Sequence, residues 1–306
     1  MLSLLSVKVE TENQQTHTRV SAEKLADLVH RIGARGDNFL VVQRIPDIPG
    51  TFVQVWHEAG GGYELEHRTG TATSHVRTVV DSPDRVAALM TRWAREEPGW
   101  DAGTDWESAG IPEPEPVPEP AEEIREQVEP RVRELLRGGY GTVRTLTEAA
   151  EDYLVKDGMR PVSRAQARKL AERLWLERVE EQRGWTDVTD PDRLEGAFAR
   201  LDRGGITARE NFTCCRPCGM GEIWAAGRED ARGFVFFHGQ GTESAAAGHG
   251  LALYYGGFDD SAETTTAVGR EVAAALGEAG LTVEWDGSPD QAIRLTGLDW
   301  RKRLVG

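Results

Sequence analysis

The sequence lacks a long apolar run. No stretch approaches the ~20 consecutive apolar residues that a membrane-spanning helix requires, so we expect no membrane association. The N-terminal residues MLSLLSVKVETENQQ include a brief apolar run. They lack the basic start, the longer apolar core and the small-residue cleavage site of a secretory signal. We therefore expect a soluble, cytoplasmic protein.

The sequence also has fewer basic than acidic residues. The chain of 306 residues has 36 Lys and Arg against 51 Asp and Glu, which gives a formal net charge of −15. Such a charge opposes binding to phosphate backbones and to anionic membrane surfaces, and it favours basic partners. We therefore expect a protein partner rather than nucleic acid.

Cysteine is scarce and concentrated in one place. The three cysteines are Cys214, Cys215 and Cys218. An odd number of cysteines at such close spacing makes a poor disulfide framework, so in a reducing compartment we expect thiols or metal ligands.

The length exceeds that of a usual single domain, and residues 1–109 are predicted to form a first, small α+β domain. Apolar residues at helical spacing predict one helix from Ser21 to about Ile32 and another from about Pro83 to Trp93. Between them, four short segments rich in β-branched and aromatic residues predict an antiparallel meander: 39–44, 51–58, 62–68 and 75–80.

An acidic, proline-rich linker is predicted over residues 110–121. Alternating prolines and acids remove backbone donors and keep such a segment extended, so it is a natural domain boundary. Residues 122–204 carry helical apolar stripes almost throughout, and the last predicted helix begins at Asp190-Pro191 and ends at Gly204-Gly205.

Residues 205–306 are predicted to form an α+β domain that makes one unit with the helical segment. The pattern predicts a helix over 262–279 and four strands: 233–239, 250–258, 281–285 and 291–295. We expect the helices to pack on one face of this sheet. The predicted fold class is therefore α+β: a small N-terminal antiparallel sheet with two helices, a central helical segment and a C-terminal α+β sandwich.

The cysteine loop contains a C-x-x-C step, in which a tight turn lets two thiolates meet one tetrahedral metal at ~2.3 Å. A structural zinc site needs four ligands, and the cysteines supply at most three. The neighbouring histidines in sequence are His238, at the end of a predicted strand, and His249. The sequence thus predicts zinc as the candidate cofactor. Its predicted ligands are Cys214, Cys215, Cys218 and His238.

Two other interpretations of the cysteine loop stay open. Cys215-Arg216-Pro217-Cys218 could carry thiol chemistry, with Arg216 lowering a thiol pKa. A thioredoxin-like site requires a strand followed by a helix, and we expect that context to be absent because a helical segment precedes the loop. Alternatively, the thiols are small buried groups that pack a turn.

A second candidate loop, His238-Gly-Gln240-Gly-Thr242-Glu243, directly follows a predicted buried strand, where binding groups concentrate. Glu243 could act as general base or metal ligand, and His238 as ligand or acid–base group. Equally, Thr242 and Glu243 could cap a short helix over 245–247. We favour the structural interpretation for Glu243.

The region from about Asp190 to Leu304 resembles an uncharacterised bacterial family known as a domain of unknown function. The likeness is carried by Arg209-Glu210-Asn211-Phe212, Cys214-Cys215, Cys218-Gly219, Phe236-Phe237-His238, Tyr254-Tyr255-Gly256 and the segment LTVEWDG at 281–287. The resemblance implies no activity. In that pattern an aspartate commonly precedes the Thr-Glu pair, and here Gly241 stands there, which argues against a catalytic carboxylate site.

Residues 21–107 resemble the first-described immunity protein family of bacterial toxin systems. The matching segments are FVQV at 52–55, GGYELEHR at 61–68 and the helix that leads to Trp100 and Trp106. The resemblance implies a small α+β protein that blocks a toxin nuclease or similar effector. An acidic surface would suit a basic toxin.

Taken together, these patterns predict a non-enzymatic protein-binding protein. Its specific form would be a toxin-neutralising immunity-type protein whose cysteine loop is held by zinc or by packing. The competing prediction is a Cys-dependent or metal-dependent hydrolase that uses Cys214, Cys215 and Cys218 with His238 and Glu243. The sequence does not decide whether the chain is an enzyme.

Overall fold

The computed structural model describes residues 4–305, so the first three residues of the N-terminal apolar run lie outside the described residues. The fold is α+β. Contacts divide the chain into two units. One runs up to Glu119 and includes Leu304 and Val305, and the other runs from Pro120 to Arg303. Residues 109–121 contain no helix or strand.

The first unit is an antiparallel sheet with two helices. Its strands are β1 (Val7–Thr11), β2 (Thr16–Thr18), β3 (Phe39–Arg44), β4 (Thr51–His57), β5 (Tyr63–Thr69), β6 (Val76–Val80) and β7 (Glu107–Ser108), and its helices are α1 (Ala22–Arg31) and α2 (Pro83–Ala94). The strand order is β2-β1-β3-β4-β5-β6-β7. Every neighbouring pair is antiparallel.

The core of this unit lies on one face of the sheet. In β4, Val53 and Val55 are buried, whereas Phe52, Gln54 and Trp56 alternate with them on the other face. The buried residues join α1 and α2, including fully buried Trp93, in one apolar cluster. The predicted meander and both helices are present. Strands β1, β2 and β7 were not predicted. Strands β2 and β7 have three and two residues, too few to show an alternating pattern.

The second unit combines a mixed sheet with helices. Its helices are α3 (Glu122–Gly138), α4 (Val143–Asp152), α5 (Arg164–Arg183), α6 (Asp190–Arg203), α7 (Arg216–Ala226), α8 (Gly239–Ala246) and α9 (Ala262–Glu278), and its strands are β8 (Ile206–Arg209), β9 (Gly233–Phe236), β10 (Leu251–Gly257), β11 (Thr282–Glu284) and β12 (Ile293–Thr296). The strand order is β11-β12-β10-β9-β8. Strands β8 and β9 are parallel, and the other pairs are antiparallel.

Both faces of this sheet carry helices. Val235 of β9 belongs to the larger core, which includes residues of α6, α8 and α9. Phe234 and Phe236 point to the opposite face and pack with Ile223 of α7. The expectation that helices cover one face only is therefore wrong. The reason is that α7 connects two adjacent parallel strands, and such a crossover must lie over a face of the sheet.

Within residues 4–305, no helix has both the length and the apolar content needed to cross a bilayer.

Candidate metal centre

The cysteine loop lies between the carboxyl end of β8 and the start of α7. Cys215 is the N-cap residue of α7, Pro217 is in its first turn and Cys218 follows directly. Proline suits this position because its missing N–H would have no partner inside the helix. Loops at the carboxyl ends of parallel strands are where α/β sheets place their ligand sites. The three thiols are therefore presented at the entrance of a β-α-β crossover.

The backbone before the cysteines has an unusual conformation. Asn211 has φ of 47° and Thr213 has φ of 59°. Positive φ is tolerated by asparagine but is uncommon for a β-branched residue such as threonine. The Thr213 hydroxyl donates to the Cys215 carbonyl at 3.2 Å. Backbone strain of this kind concentrates where a functional geometry must be held.

The start of α8 fixes the same loop from the other side. The N–H groups of Gly239 and Gln240 donate to the carbonyls of Thr213 and Cys214, at 3.0 and 3.3 Å. These are first-turn donors, which have no acceptor inside their own helix. The loop carbonyls thus accept from the free N–H groups at the start of α8, and these hydrogen bonds hold the cysteine loop in place.

The three sulfur atoms converge. Cys214 Sγ lies 3.6 Å from the sulfurs of both Cys215 and Cys218. All three sulfurs lie within 4.8 Å of one another. Among the described residues, no other group of three or more His, Cys, Asp or Glu ligand atoms lies close enough together to share an ion. Two sulfurs bound to one tetrahedral zinc at 2.3 Å would be about 3.8 Å apart. The spacing therefore fits one shared metal ion.

The thiols are accessible to solvent. Cys214 and Cys218 are exposed and Cys215 is half-buried. The interpretation of these residues as buried groups that pack a turn is therefore wrong. The expectation that a strand-then-helix context is absent is also wrong, because β8 precedes the loop and α7 follows it. A strand of four residues and a helix interrupted by glycines gave no clear period in the sequence.

The thiols of Cys215 and Cys218 differ in acidity. The backbone N–H of Cys218, followed by the thiols of Cys218 and Cys214, lowers the pKa of Cys215. The thiol of Cys215, followed by that of Cys214, raises the pKa of Cys218 to about 11. Thiolates rather than thiols bind metal, so a cation that binds the cluster must displace the remaining protons.

His238 lies beside the loop but outside the sulfur cluster. It is the N-cap residue of α8, and its Nδ1 accepts from the Gly241 N–H at 3.1 Å. Its ring stacks on that of Tyr254 with 5.5 Å between centroids. Burial lowers the pKa of His238, which favours the neutral ring. His249 is exposed in the loop after α8.

Glu243 is engaged elsewhere. Both of its carboxylate oxygens accept from the Arg131 guanidinium of α3, at 3.1 and 3.2 Å. The short helix expected over 245–247 begins earlier, at Gly239, and His238 caps it in place of Thr242 or Glu243. The structure therefore gives Glu243 an ion-pair partner on another helix and does not place it with the thiols.

The Arg216 side chain contacts the ring of Tyr254. Its guanidinium carbon lies 4.9 Å from the ring centroid of Tyr254. The lowered pKa of Cys215 comes from Cys218 and Cys214 rather than from Arg216. The side chain is exposed, and a cation–π contact at an exposed site is worth roughly 0.5–1 kcal/mol.

A partly buried polar network anchors the loop at its first residue, and the sequence patterns did not indicate it. Glu210, directly after β8, accepts from the Tyr140 hydroxyl at 2.5 Å and from Lys302 Nζ at 3.2 Å. Lys302 also donates to Glu195 at 2.9 Å. These partners lie 70 and 92 residues from Glu210 in the sequence, so no local pattern could indicate them.

Comparison with known proteins places the second unit in a family. Residues 121–304 match the family described as Domain of unknown function (DUF6891). Because the match covers more than half of the chain, the protein belongs to this family, and the resemblance noted for its C-terminal region is confirmed. No curated protein and no solved structure matches the chain. The resemblance of residues 21–107 to immunity proteins stays a prediction.

Proposed function

We propose that the second unit is a non-enzymatic metal-binding domain in which Cys214, Cys215 and Cys218 together hold one zinc ion. The observation that carries this proposal is the convergence of three accessible sulfurs, two pairs of them 3.6 Å apart. Thiolates select zinc and other soft ions over magnesium or calcium, which prefer oxygen. A metal bound there would tie the loop after β8 to the first turn of α7.

Single Cys→Ser variants of the full chain test the proposal. Each replaces a thiolate by a hydroxyl that binds zinc poorly, so zinc retained after dialysis falls from one ion per chain to a small fraction. Elemental analysis of untagged protein measures this. Met220→Leu is the matched control, because it removes an exposed thioether of α7 and no thiol. Equal zinc in all variants would contradict the proposal.

The positions of His238 and Glu243 support a non-enzymatic site over a hydrolase. A hydrolase would need a general base facing the metal or the nucleophile. His238 uses Nδ1 to cap α8, and Glu243 is paired with Arg131. Peptide or ester hydrolysis that depends on the cysteines and on Glu243 would contradict this part of the proposal.

For the first unit we retain a protein-binding function with a basic partner. The supporting feature is the open face of its sheet, where Phe39 lies directly opposite Trp56 and Trp56 opposite Glu64. Phe39 and Trp56 are 38% and 40% exposed. They border a cavity of about 300 Å³ together with Glu64 and Glu66. Exposed aromatic rings beside carboxylates suit lysine or arginine side chains of a partner.

Affinity capture with the full chain, repeated with purified partner, tests this function. We expect a basic protein whose binding weakens at least about tenfold in Trp56→Ala, because central aromatic residues dominate interface energies. Met159→Ala, at a residue 72% exposed in the second unit, is the matched control. Toxin neutralisation is the specific form implied by the immunity resemblance, and it predicts that the partner loses activity on binding. Binding that Trp56→Ala leaves unchanged would contradict the assignment of this face.

A further inference from the structure

The sulfur cluster supplies three ligands, and a tetrahedral zinc has four. Among the described residues the cluster of potential ligand atoms contains the three cysteines alone. His238 lies between Phe237 and Gly239, whose backbones bond to the cysteine loop. Its Nδ1 is committed to the Gly241 N–H and its ring is stacked on Tyr254. Zinc sites with three protein ligands keep a position for a ligand from outside the chain.

We propose that this fourth position is open at the surface and takes an external thiolate that also carries a carboxylate. The inference rests on the metal binding proposed above and names the ligand class of the same site. The accessibility of Cys214 and Cys218 leaves the outer side of the cluster free for such a ligand. A soft ion already held by thiolates accepts a further thiolate readily.

Arg216 is the reason for the carboxylate. It is the first residue of α7, directly between Cys215 and Pro217. Its described contact is with the ring of Tyr254, and no described carboxylate pairs with it. Three thiolates around a divalent ion carry net negative charge, and a cation that follows Cys215 directly in the chain would offset the charge that a fourth anionic ligand adds. The same guanidinium can accept a carboxylate in two hydrogen bonds.

Cobalt substitution of the full chain tests this inference. Cobalt(II) takes the place of zinc and reports its ligands through visible d–d bands and a sulfur-to-cobalt charge-transfer band. The probe is mercaptoacetate, added to the cobalt-loaded protein without other thiols. We expect saturable binding with an increase of about one third in charge-transfer intensity, because a fourth thiolate joins three.

The cobalt spectra distinguish a failure of metal binding from a failure of the open fourth position. No cobalt bands in wild type would contradict metal binding itself. Bands that mercaptoacetate leaves unchanged, or bleaches by stripping the metal, would overturn the open position while metal binding stands. His238→Asn keeps a helix cap and removes the imidazole, so we expect it to bind mercaptoacetate like wild type and like the control His249→Asn. A changed resting spectrum in His238→Asn alone would assign the fourth position to His238 and overturn the inference.

The role of Arg216 has its own test. We compare the affinity for mercaptoacetate with that for mercaptoethanol, which lacks the carboxylate, in wild type, Arg216→Met and the exposed control Arg270→Met. Taking the ratio within each protein cancels the difference between the two thiols. We expect the preference for mercaptoacetate to fall about threefold in Arg216→Met, as an exposed ion pair allows, and to persist in Arg270→Met. An unchanged ratio in Arg216→Met would remove the carboxylate from the ligand class.

Discussion

Lys302 is a buried cation that holds together three separate parts of the second unit. Its side chain is 8% exposed and pairs with Glu195 of α6 and with Glu210 after β8. Its ammonium also lies 5.0 Å from the ring centroid of Tyr140. Since Glu210 is the first residue of the segment that leads to the cysteines, this single side chain helps to set where that loop leaves the sheet.

Removing Lys302 would leave Glu210, which is partly buried, without its cation. We expect Lys302→Met to lower the free energy of unfolding by about 3 kcal/mol, the lower end for breaking a buried pair, because Glu195 is itself half-exposed. Arg232→Met is the control: its pair with Glu271 is exposed on both sides, so its loss costs less than about 1 kcal/mol. Denaturant unfolding measures both. Equal effects of the two variants would contradict a special role of Lys302.

Because Tyr140 and Lys302 both contact Glu210, we expect the free energy of unfolding to fall at alkaline pH. Burial, followed by the charge of Glu210, raises the pKa of Tyr140. Burial lowers the pKa of Lys302, but the charges of Glu210 and Glu195 outweigh it and the net pKa is raised. The folded chain thus keeps two protons that the unfolded chain releases above about pH 10. Their contribution is fully present below that pH and is lost as the pH rises through the folded-state pKa values.

Tyr140→Phe removes one of these titrating groups. We expect the free energy of unfolding of this variant to fall less steeply with pH above about pH 10 than that of wild type. The slope is compared rather than the absolute stability, because the variant also loses the hydrogen bond to Glu210. Denaturant unfolding at a series of alkaline pH values measures it. Parallel slopes would show that Tyr140 titrates normally in the folded protein.

Helix α7 is the element that brings the cysteines together, and it packs very closely on the sheet. A Cβ at Gly219 would lie 2.3 Å from the ring of Phe236, whereas a Cβ at Gly221 would meet nothing within 4 Å. Gly219 directly follows Cys218. The approach of the helix to the sheet therefore depends on the absence of a side chain at the residue beside the last thiol.

Two glycine variants separate close packing from helix propensity. We expect Gly219→Ala to lower the free energy of unfolding by about 1–3 kcal/mol through overpacking and to weaken zinc binding, because the start of α7 must shift. Gly221→Ala is expected to raise it by about 0.5–1 kcal/mol, since alanine is the better helix former in open space. Thermal unfolding and zinc titration measure these effects. Similar behaviour of the two variants would contradict the packing described for α7.

The sequence predicts well those elements that have a capping residue and an apolar pattern that repeats over many residues. Helix α6 begins at Asp190-Pro191 with a capping box at Thr189, and α9 runs over 17 residues behind the cap Ser261. Strand β8 has four residues, and the glycines that let α7 pack closely also remove the apolar period that would indicate a helix. The sequence places the thiols together because they are neighbours in the chain. It cannot show that His238 serves as a helix cap, since that depends on the paths of two loops.

The chain joins two units with separate cores, and the thiol cluster lies in the second unit. The family match begins at residue 121 and ends at residue 304, close to the bounds of the second unit, Pro120–Arg303. Each unit has its own sheet. Metal bound by the cysteines is therefore expected to stabilise the second unit and not the first.

Hydrogen exchange with and without zinc tests this division. At a free zinc concentration about 100 times the dissociation constant, linkage adds about 2.7 kcal/mol to the unit that binds it. We expect slower exchange in β8, α7 and β9 and no change in β3, β4 and β5. Protection that spreads equally through both sheets would show that the two units unfold together.

X-ray absorption at the zinc edge of the full, zinc-loaded chain, in a buffer free of thiols, tests directly whether the three cysteines hold the metal. We predict three sulfur ligands at about 2.3 Å and one lighter ligand from the solvent, with sulfur scattering lost in Cys218→Ser. A first shell of nitrogen and oxygen alone would mean that zinc binds elsewhere on the chain. That result would contradict the assignment of Cys214, Cys215 and Cys218 as a metal centre.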